Sequence, residues 1–339
     1  MTKKLSIVVP VYKVEKYVRP CIESIFNQGL SDDDYELIVV NDGTPDRSME
    51  QITDLLEQHS NVIVINQENQ GVSVARNNGL AKATGEYILF FDSDDIMIEG
   101  SLKLMLDKAL ESQADMVVGE YVEMNDEEID AMLHPIVQSP TSWKESTGKW
   151  LYFYGNGEYP MASAVWRTYY RMEFLKKHQI IFSPSVYYED VDFSINAYLK
   201  AVKVLKTNLI FNIYRHRDDS IMNSAMTKKK VEDYQSRLAC VWSIAQNIEL
   251  NNQERERFEY FYFIYVYEYL TYFVFPNFSR YSDRIYSINH LAKEIPVLRF
   301  GKGLLRQVTA FIYNISPKLL MTLWIVKWEM QKVLLKRQP

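Results

Sequence analysis

Only two cysteines, Cys21 and Cys240, occur in 339 residues. They form no disulfide framework and no metal-binding pattern, so a reduced, cytoplasmic setting is the default expectation. Several catalytic signatures are also missing. The chain contains no P-loop GxxxxGK(S/T), no GxGxxG after its first apolar run, no GxSxG and no HExxH. Nucleotide hydrolysis on a P-loop, dinucleotide binding, serine hydrolysis and zincin chemistry therefore lose their usual support, and nothing points to a nucleophilic Ser or Cys. Long uncharged runs are lacking too. The aromatic stretch Phe258–Phe275 approaches the length of a membrane span, but Glu259 and Glu268 interrupt it and many of its residues are Tyr. It reads as a buried or bilayer-facing helix of a bundle rather than a span. The opening MTKKLSIVVPVY has two lysines, then a short apolar run broken by Pro10, with no small-residue cleavage site. It reads as a first β-strand and not as a signal peptide.

The charge is unevenly distributed. The net charge is −6, yet the segment from Phe275 onward holds 11 Lys+Arg against 3 Asp+Glu, leaving 27 basic against 41 acidic residues before it. An acidic body with a basic tail argues against nucleic acid as the main partner and suits a tail that meets an anionic surface.

What is present is a body rich enough in apolar residues, 47% of the chain, to build a large domain with an appendage or two domains. Apolar runs at Leu5–Val9, Tyr35–Val40, Asn61–Ile65 and Glu86–Phe91 alternate with helical patterns at Glu15–Gln28, Met49–Gln58 and Gly71–Ala83. Continuous apolar strands alternating with helices predict a parallel sheet covered on both faces. Ser101–Glu111 reads as a further helix and Asp115–Gly119 as a short strand. Residues 125–165 carry scattered Pro and Gly and read as lid or acceptor-side loops. The catalytic body is expected to span residues 1–225, with a helical region over 226–339.

In such sheets ligands bind beyond the carboxyl ends of the strands. Those ends are Pro10-Val11-Tyr12, Asn41-Asp42-Gly43, Gln67–Asn69 and Asp92–Asp95. Asp92-Ser93-Asp94 places two carboxylates one residue apart, able to meet one hard cation or one ribose–diphosphate group; Mg²⁺ or Mn²⁺ would suit. A calcium loop does not fit, because no glycine takes its sixth position. Asp42 can accept hydrogen bonds from a base or ribose. Gly71 opens a helix and Arg76 sits inside it, a cation suited to a diphosphate or to the neighbouring acids. A second acidic cluster, Glu189, Asp190 and Asp192, runs into another helix. Two such clusters suit group transfer, one holding metal and phosphate and the other taking a proton from the incoming nucleophile. His216 or Arg217 can neutralise a leaving diphosphate.

Taken together, LSIVVPVYKVEKYVRPCIESIFNQ (Leu5–Gln28), YELIVVNDGTPDRS (Tyr35–Ser48), NQGVSVARNNGLAKATGEYILFFDSDD (Asn69–Asp95) and YYEDVDF (Tyr187–Phe193) resemble the inverting family 2 glycosyltransferases. The resemblance covers roughly the first 220 residues and says little beyond Lys228. It implies an α/β, GT-A, Rossmann-like and mostly parallel sheet flanked by helices, with a C-terminal helical extension. It implies a nucleotide-diphosphate sugar donor, with UDP the expected nucleotide, and Mn²⁺ or Mg²⁺. Pro10, Tyr12 and Glu15 then lie where the first strand meets the nucleotide. Asp42 matches the acid at the base, and Asn69 and Arg76 lie beside the nucleotide. Asp94 is the expected metal ligand, Asp92 with Ser93 a ribose or metal contact, and Asp190 the catalytic base, with Glu189 orienting it or sharing the acceptor. Val165–Phe182 resembles enzymes of bacterial capsule, exopolysaccharide and O-unit assembly. These imply a polyprenyl-pyrophosphate-linked oligosaccharide acceptor at the cytoplasmic face of the inner membrane.

Ser316-Pro317 is a helix-start pair. The stripes Leu304, Val308, Phe311, Ile315 and Leu319, Leu323, Val326, Met330, Val333, with Trp324, Trp328 and flanking lysines, have the composition of an interfacial helix. The alternative is packing on the same domain or on a second subunit of a homo-oligomer. Two rival functions differ in class. A sugar-1-phosphate nucleotidyltransferase needs a glycine-rich basic loop after the first strand, where PVYKVEKY has no glycine. A non-catalytic carbohydrate-binding or scaffold member would have no use for both acidic clusters.

Overall fold

A computed structural model of the chain describes residues 3–131, 142–156, 164–184, 188–217, 227–269 and 304–323, together with 284, 288, 289 and 291. The β-branched runs form the first strands: β1 (Leu5–Val11), β2 (Tyr35–Asp42), β3 (Val62–Gln67) and β4 (Tyr87–Phe90), all parallel in the order β3-β2-β1-β4. β1 is nearly all buried, as expected for a strand paired on both edges and covered on both faces. Helices α1 (Val18–Phe26), α2 (Thr53–Leu56) and α3 (Val72–Lys82) return the chain between them. The buried face of α1 is Val18, Cys21, Ile22 and Ile25. α3 lies close on β1: a Cβ added at Gly79 would stand 2.3 Å from a Val8 methyl.

Beyond β4 the parallel pattern ends. After β5 (Ile96–Met97), α4 (Ser101–Ser112), β6 (Met116–Asn125), α5 (Asp126–Asp130), β7 (Trp143–Ser146) and α6 (Gly148–Tyr154) come a 3₁₀ turn at Val165–Arg167 and β8 (Thr168–Arg171). α7 (Met172–His178), α8 (Glu189–Lys200) and β9 (Val204–His216) complete the body. The nine-stranded sheet continues β4-β8-β6-β9-β5, with β7 also on β9. β8 is antiparallel to both β4 and β6, while β6 and β9 are parallel. The expected parallel sheet therefore describes the first half, and the second half is mixed. The strand expected at Asp115–Gly119 extends to Asn125, because β9 supplies a partner along its length past a register shift at Glu120. The loops expected over 125–165 contain α5, β7 and α6; residues 132–141 and 157–163 lie outside the described set.

The chain divides into two compact units, Met1–Tyr152 with Met161–Ser224, and Phe153–Pro160 with Ala225–Pro339. The second contains α9 (Lys228–Gln246), α10 (Asn252–Glu268) and α11 (Leu304–Ile315), followed by a helical stretch at 317–323. Asn251 and Glu254 form a reciprocal cap at the start of α10. Phe258, Phe261, Tyr262, Val266 and Tyr269 are buried at helical spacing, and the Tyr262 hydroxyl donates to the Leu238 carbonyl at 3.1 Å. Residues 258–269 of the aromatic run thus form a helix seam within this unit, and residues 270–275 lie outside the described set. Ser316 caps the last stretch, accepting from Leu319 N at 3.1 Å. Among the described residues, no helix is long and apolar enough to cross a membrane.

Candidate active site

The site is built at the carboxyl ends of β1, β2, β3 and β4. Pro10 is half-buried in β1 and Tyr12 is 39% exposed just past it. The following turn is stapled to the loop after β2. Lys13 N donates to Thr44 Oγ1 at 2.8 Å, Val14 N to Ser48 Oγ at 3.0 Å and Glu15 N to Asp46 Oδ2 at 3.2 Å. The Glu15 carboxylate is engaged by Arg47, at 2.7 Å from Nη2. In this state it serves the loop rather than standing open to a ligand.

Asp42 is buried and accepts from Gln67 Nε2 and Gln70 N, both at 2.8 Å, and from Gly71 N at 2.9 Å. It therefore clamps the loop that starts α3. Two glycines make this clamp possible. Gly71 has φ +89°, and a Cβ at Gly43 (φ +62°) would lie 2.8 Å from Asn69 N. Asn69 itself is exposed on that loop.

Arg76 occupies the centre. Its guanidinium is buried, 2.6 Å from Asp92 Oδ1 and 2.5 Å from Glu189 Oε1, with the Phe182 ring 5.3 Å away. Burial alone would lower its pKa; the Asp92 and Glu189 carboxylates more than reverse this and keep it charged. A residue expected beside the nucleotide thus bridges the two acidic clusters. Glu189 and Asp190 open α8, where the helix N-terminus favours negative charge. Asp192, further along that turn, is buried and accepts from Ser183 Oγ at 2.5 Å. Burial, reinforced by the Glu189 charge and opposed by Arg76, pushes the Asp190 carboxyl up to about 8.

The second half of the Asp92–Asp95 cluster faces the end of β9. Arg217 Nε lies 2.8 Å from Asp94 Oδ2. Arg215 donates from Nε to the Asp94 carbonyl at 2.9 Å and from its backbone N to Asp95 Oδ1 at 3.1 Å, and it pairs with Asp126. The Tyr17 ring lies 5.2 Å from one guanidinium and 5.3 Å from the other. Ser93 is buried between the two acids. Burial pushes the Asp94 carboxyl up against the pull of Arg217. It pushes Asp95 well above the usual range, with Asp94 and Asp92 adding to it. Asp95 Oδ2 is buried with no hydrogen-bond partner among the described residues. His216 instead pairs with Glu123 at 2.8 Å.

The donor set fits a hard divalent cation in one respect: all its ligands are carboxylate oxygens. Among the described residues no group of three or more His, Cys, Asp or Glu gathers around one point. A metal here would take one or two protein carboxylates and complete its shell from substrate phosphates, as Mg²⁺ commonly does.

Four contributors were not singled out by the sequence pattern: Tyr17, Phe182, Arg215 and Tyr214. Burial, with Asp95, Asp94 and Asp92 adding to it, pushes the Tyr214 hydroxyl up to about 12. The available signal was alternation, which puts Ile213, Arg215 and Arg217 on one side of an extended chain. It becomes readable only once β9 is known to end beside Asp94.

A mixed sheet with carboxylates at its strand ends and a second acidic cluster on a facing helix defines a GT-A-type transferase. The sequence model for "Glycosyl transferase family 2" matches residues 6–185, and the chain belongs to that family. It is a glycosyltransferase. It is 32% identical over 245 residues to the uncharacterized glycosyltransferase EpsJ of Bacillus subtilis (strain 168), covering 70% of each chain. It is 30% identical over 204 residues to the poly(ribitol-phosphate) beta-glucosyltransferase of Bacillus spizizenii (strain ATCC 23059 / NRRL B-14472 / W23), covering 59% of this chain and 30% of that one. The crystal structure of S. aureus TarS residues 1–349 in complex with UDP-GlcNAc matches with a TM-score of 0.72 at 21% identity, over 97% of this chain and 92% of that one.

Proposed function

We propose that this glycosyltransferase moves a sugar, with inversion, from a UDP-sugar to a hydroxyl of a growing cell-surface polysaccharide carried on polyprenyl pyrophosphate. The observation that carries this is the Arg76 bridge from Asp92 to Glu189. It ties the donor-side acids to the first turn of α8, where Asp190 keeps a raised pKa of about 8. Glu189 is committed to Arg76 and Asp192 accepts from Ser183, which favours Asp190 as the base. The acceptor oxygen attacks C1 of the sugar from the face opposite the diphosphate. Its bond to C1 forms as the C1–O bond to the diphosphate breaks, and Asp190 takes the hydroxyl proton. A base with a pKa near the working pH is well matched to this step. Asp94 and Asp92 would hold Mn²⁺ or Mg²⁺, which when bound supplies positive charge against the departing diphosphate. Two likenesses support a UDP-sugar donor and a polymeric acceptor: the neighbouring structure holding UDP-GlcNAc, and the relative named for poly(ribitol phosphate).

The working place is an anionic membrane face, and attachment is peripheral. Val308, Phe311, Ile315, Leu319 and Leu323 are exposed at helical spacing over α11 and the stretch after it. The segment from Phe275 carries 11 basic against 3 acidic residues. Residues 324–339, with Trp324, Trp328 and the last lysines, lie outside the described set.

The test pairs binding with turnover. Wild type should show a higher melting temperature with one of UDP-, GDP- or dTDP-sugars plus Mn²⁺ and release nucleotide from it. Asp94→Ala should lose the metal-dependent shift. Asp190→Asn should keep the shift and lose about 10²- to 10⁴-fold in turnover. If no nucleotide sugar shifts the melting point, the donor assignment fails. Binding without turnover in wild type would favour a scaffold instead.

A further inference from the structure

The Asp94 carboxylate carries two demands. It is the acid best placed to hold the donor's metal, and in the structure it faces a cation of the protein itself, Arg217 Nε at 2.8 Å. Both side chains are largely enclosed, 13% and 21% exposed, so the pair is only partly screened by water. The neighbouring arginine has a different task. Arg215 is committed to the Asp94 carbonyl, to Asp95 through its backbone and to Asp126, so it holds the loop in shape. Arg217 instead places its charge on the carboxylate oxygen. Tyr17 lies against both guanidiniums. Without a counter-charge, Asp94 would stand beside Asp92 and Asp95 in a crowded acidic loop, a costly arrangement away from bulk water.

We infer that Arg217 is an exchangeable counter-ion: it neutralises Asp94 in the donor-free enzyme, yields that oxygen to the donor's metal, and then pairs with the diphosphate. This deepens the reading of Asp94 as the donor-metal site and rests on it. No bond other than ion contacts is made or broken, and the charge balances. A divalent cation and a nucleotide diphosphate arrive together, the cation replaces the guanidinium on Asp94, and the guanidinium meets the phosphate oxygens. The consequence is coupling. Metal alone must displace Arg217 and binds weakly; with a diphosphate present the displaced guanidinium gains a new anionic partner, so metal and nucleotide favour one another.

The experiment measures Mn²⁺ binding by the EPR signal of free Mn²⁺, and UDP binding by calorimetry, on the full chain. Arg217→Gln should tighten Mn²⁺ binding without nucleotide by roughly three- to tenfold, since the competing cation is gone. With Mn²⁺ saturating, it should weaken UDP by roughly tenfold or more, the loss of a charged hydrogen bond to phosphate. Arg217→Lys, which keeps the charge, should stay near wild type for Mn²⁺. Asp94→Asn gives an independent measurement. It abolishes the pairing from the other side, so UDP in metal-free buffer should bind tighter to it than to wild type. Unchanged or weaker Mn²⁺ binding by Arg217→Gln overturns the exchange. So does unchanged or weaker metal-free UDP binding by Asp94→Asn. Wild type that binds UDP with Mn²⁺ while these variants fail leaves the donor site standing and removes only the exchange. Wild type that binds neither Mn²⁺ nor UDP removes both.

Discussion

Asp190, the base proposed above, carries a raised carboxyl pKa at a cost in stability. Burial and the Glu189 charge raise it to about 8 in the folded chain, whereas an unfolded aspartate releases its proton near about 4. Between those values the folded state holds one more proton than the unfolded state. This group's contribution to stability therefore declines as pH rises from about 4 to about 8. For catalysis the sign is reversed, because the base must be ionised. We expect kcat/KM of the wild type to climb with pH through about 8, and the residual activity of Asp190→Asn to lack that limb. The melting temperature of Asp190→Asn should exceed that of wild type, by a gap that widens from about pH 5 to about pH 8. A gap that is flat with pH would remove Asp190 as the raised group. The two acidic clusters were legible in the sequence because carboxylates after a buried strand and at a helix start are anomalous in themselves. Arg76 was legible as a cation but not as a bridge, since Glu189 lies far from it along the chain and only folding brings them to 2.5 Å.

At the scale of elements, α3 carries Arg76 into the site, so its seating on β1 sets the position of that guanidinium. Gly79 makes the seating possible, with Val8 where a side chain would go. Gly79→Ala places a methyl against a β-branched side chain in a strand paired on both edges. It should cost about 1–3 kcal/mol in urea unfolding, and it should also lower turnover by shifting α3 outward. An unchanged midpoint would mean that Val8 yields easily. The early strands and helices were readable because each is a local apolar pattern. β8 and β9 were harder. β8 is four residues long and antiparallel, and its direction follows from pairing between β4 and β6. β9 ends in YRH, a polar run that looks like a loop until β6 pairs with it as far as His216.

For the whole molecule, the acidic body and basic tail suggest different surroundings for its two ends. The exposed stripe of Val308, Phe311, Ile315, Leu319 and Leu323 should insert into an anionic bilayer surface, drawn there by the nearby basic residues. Full-length protein should sediment with vesicles containing phosphatidylglycerol, less so as salt rises, because the charge term is screened over about 10 Å at 0.1 M. Phe311→Glu with Ile315→Glu should reduce sedimentation strongly and leave the turnover of water-soluble substrates unchanged. Protein ending before Gly301 that sediments as well as the full chain would remove the tail as the anchor.

By itself the sequence determined the four parallel strands of the first half with their helices, and the places along the chain where the two acidic clusters stand. Each of these is written in a short window, as apolar runs, turn residues and carboxylate spacing. Tertiary structure alone decided how those charges pair: Arg76 between Asp92 and Glu189, Arg217 on Asp94, Arg215 on Asp95, and Glu15 on Arg47. The reason is physical. A buried charge is tolerable only with a partner, and which partner it finds depends on strand order and helix seating, which no local pattern contains.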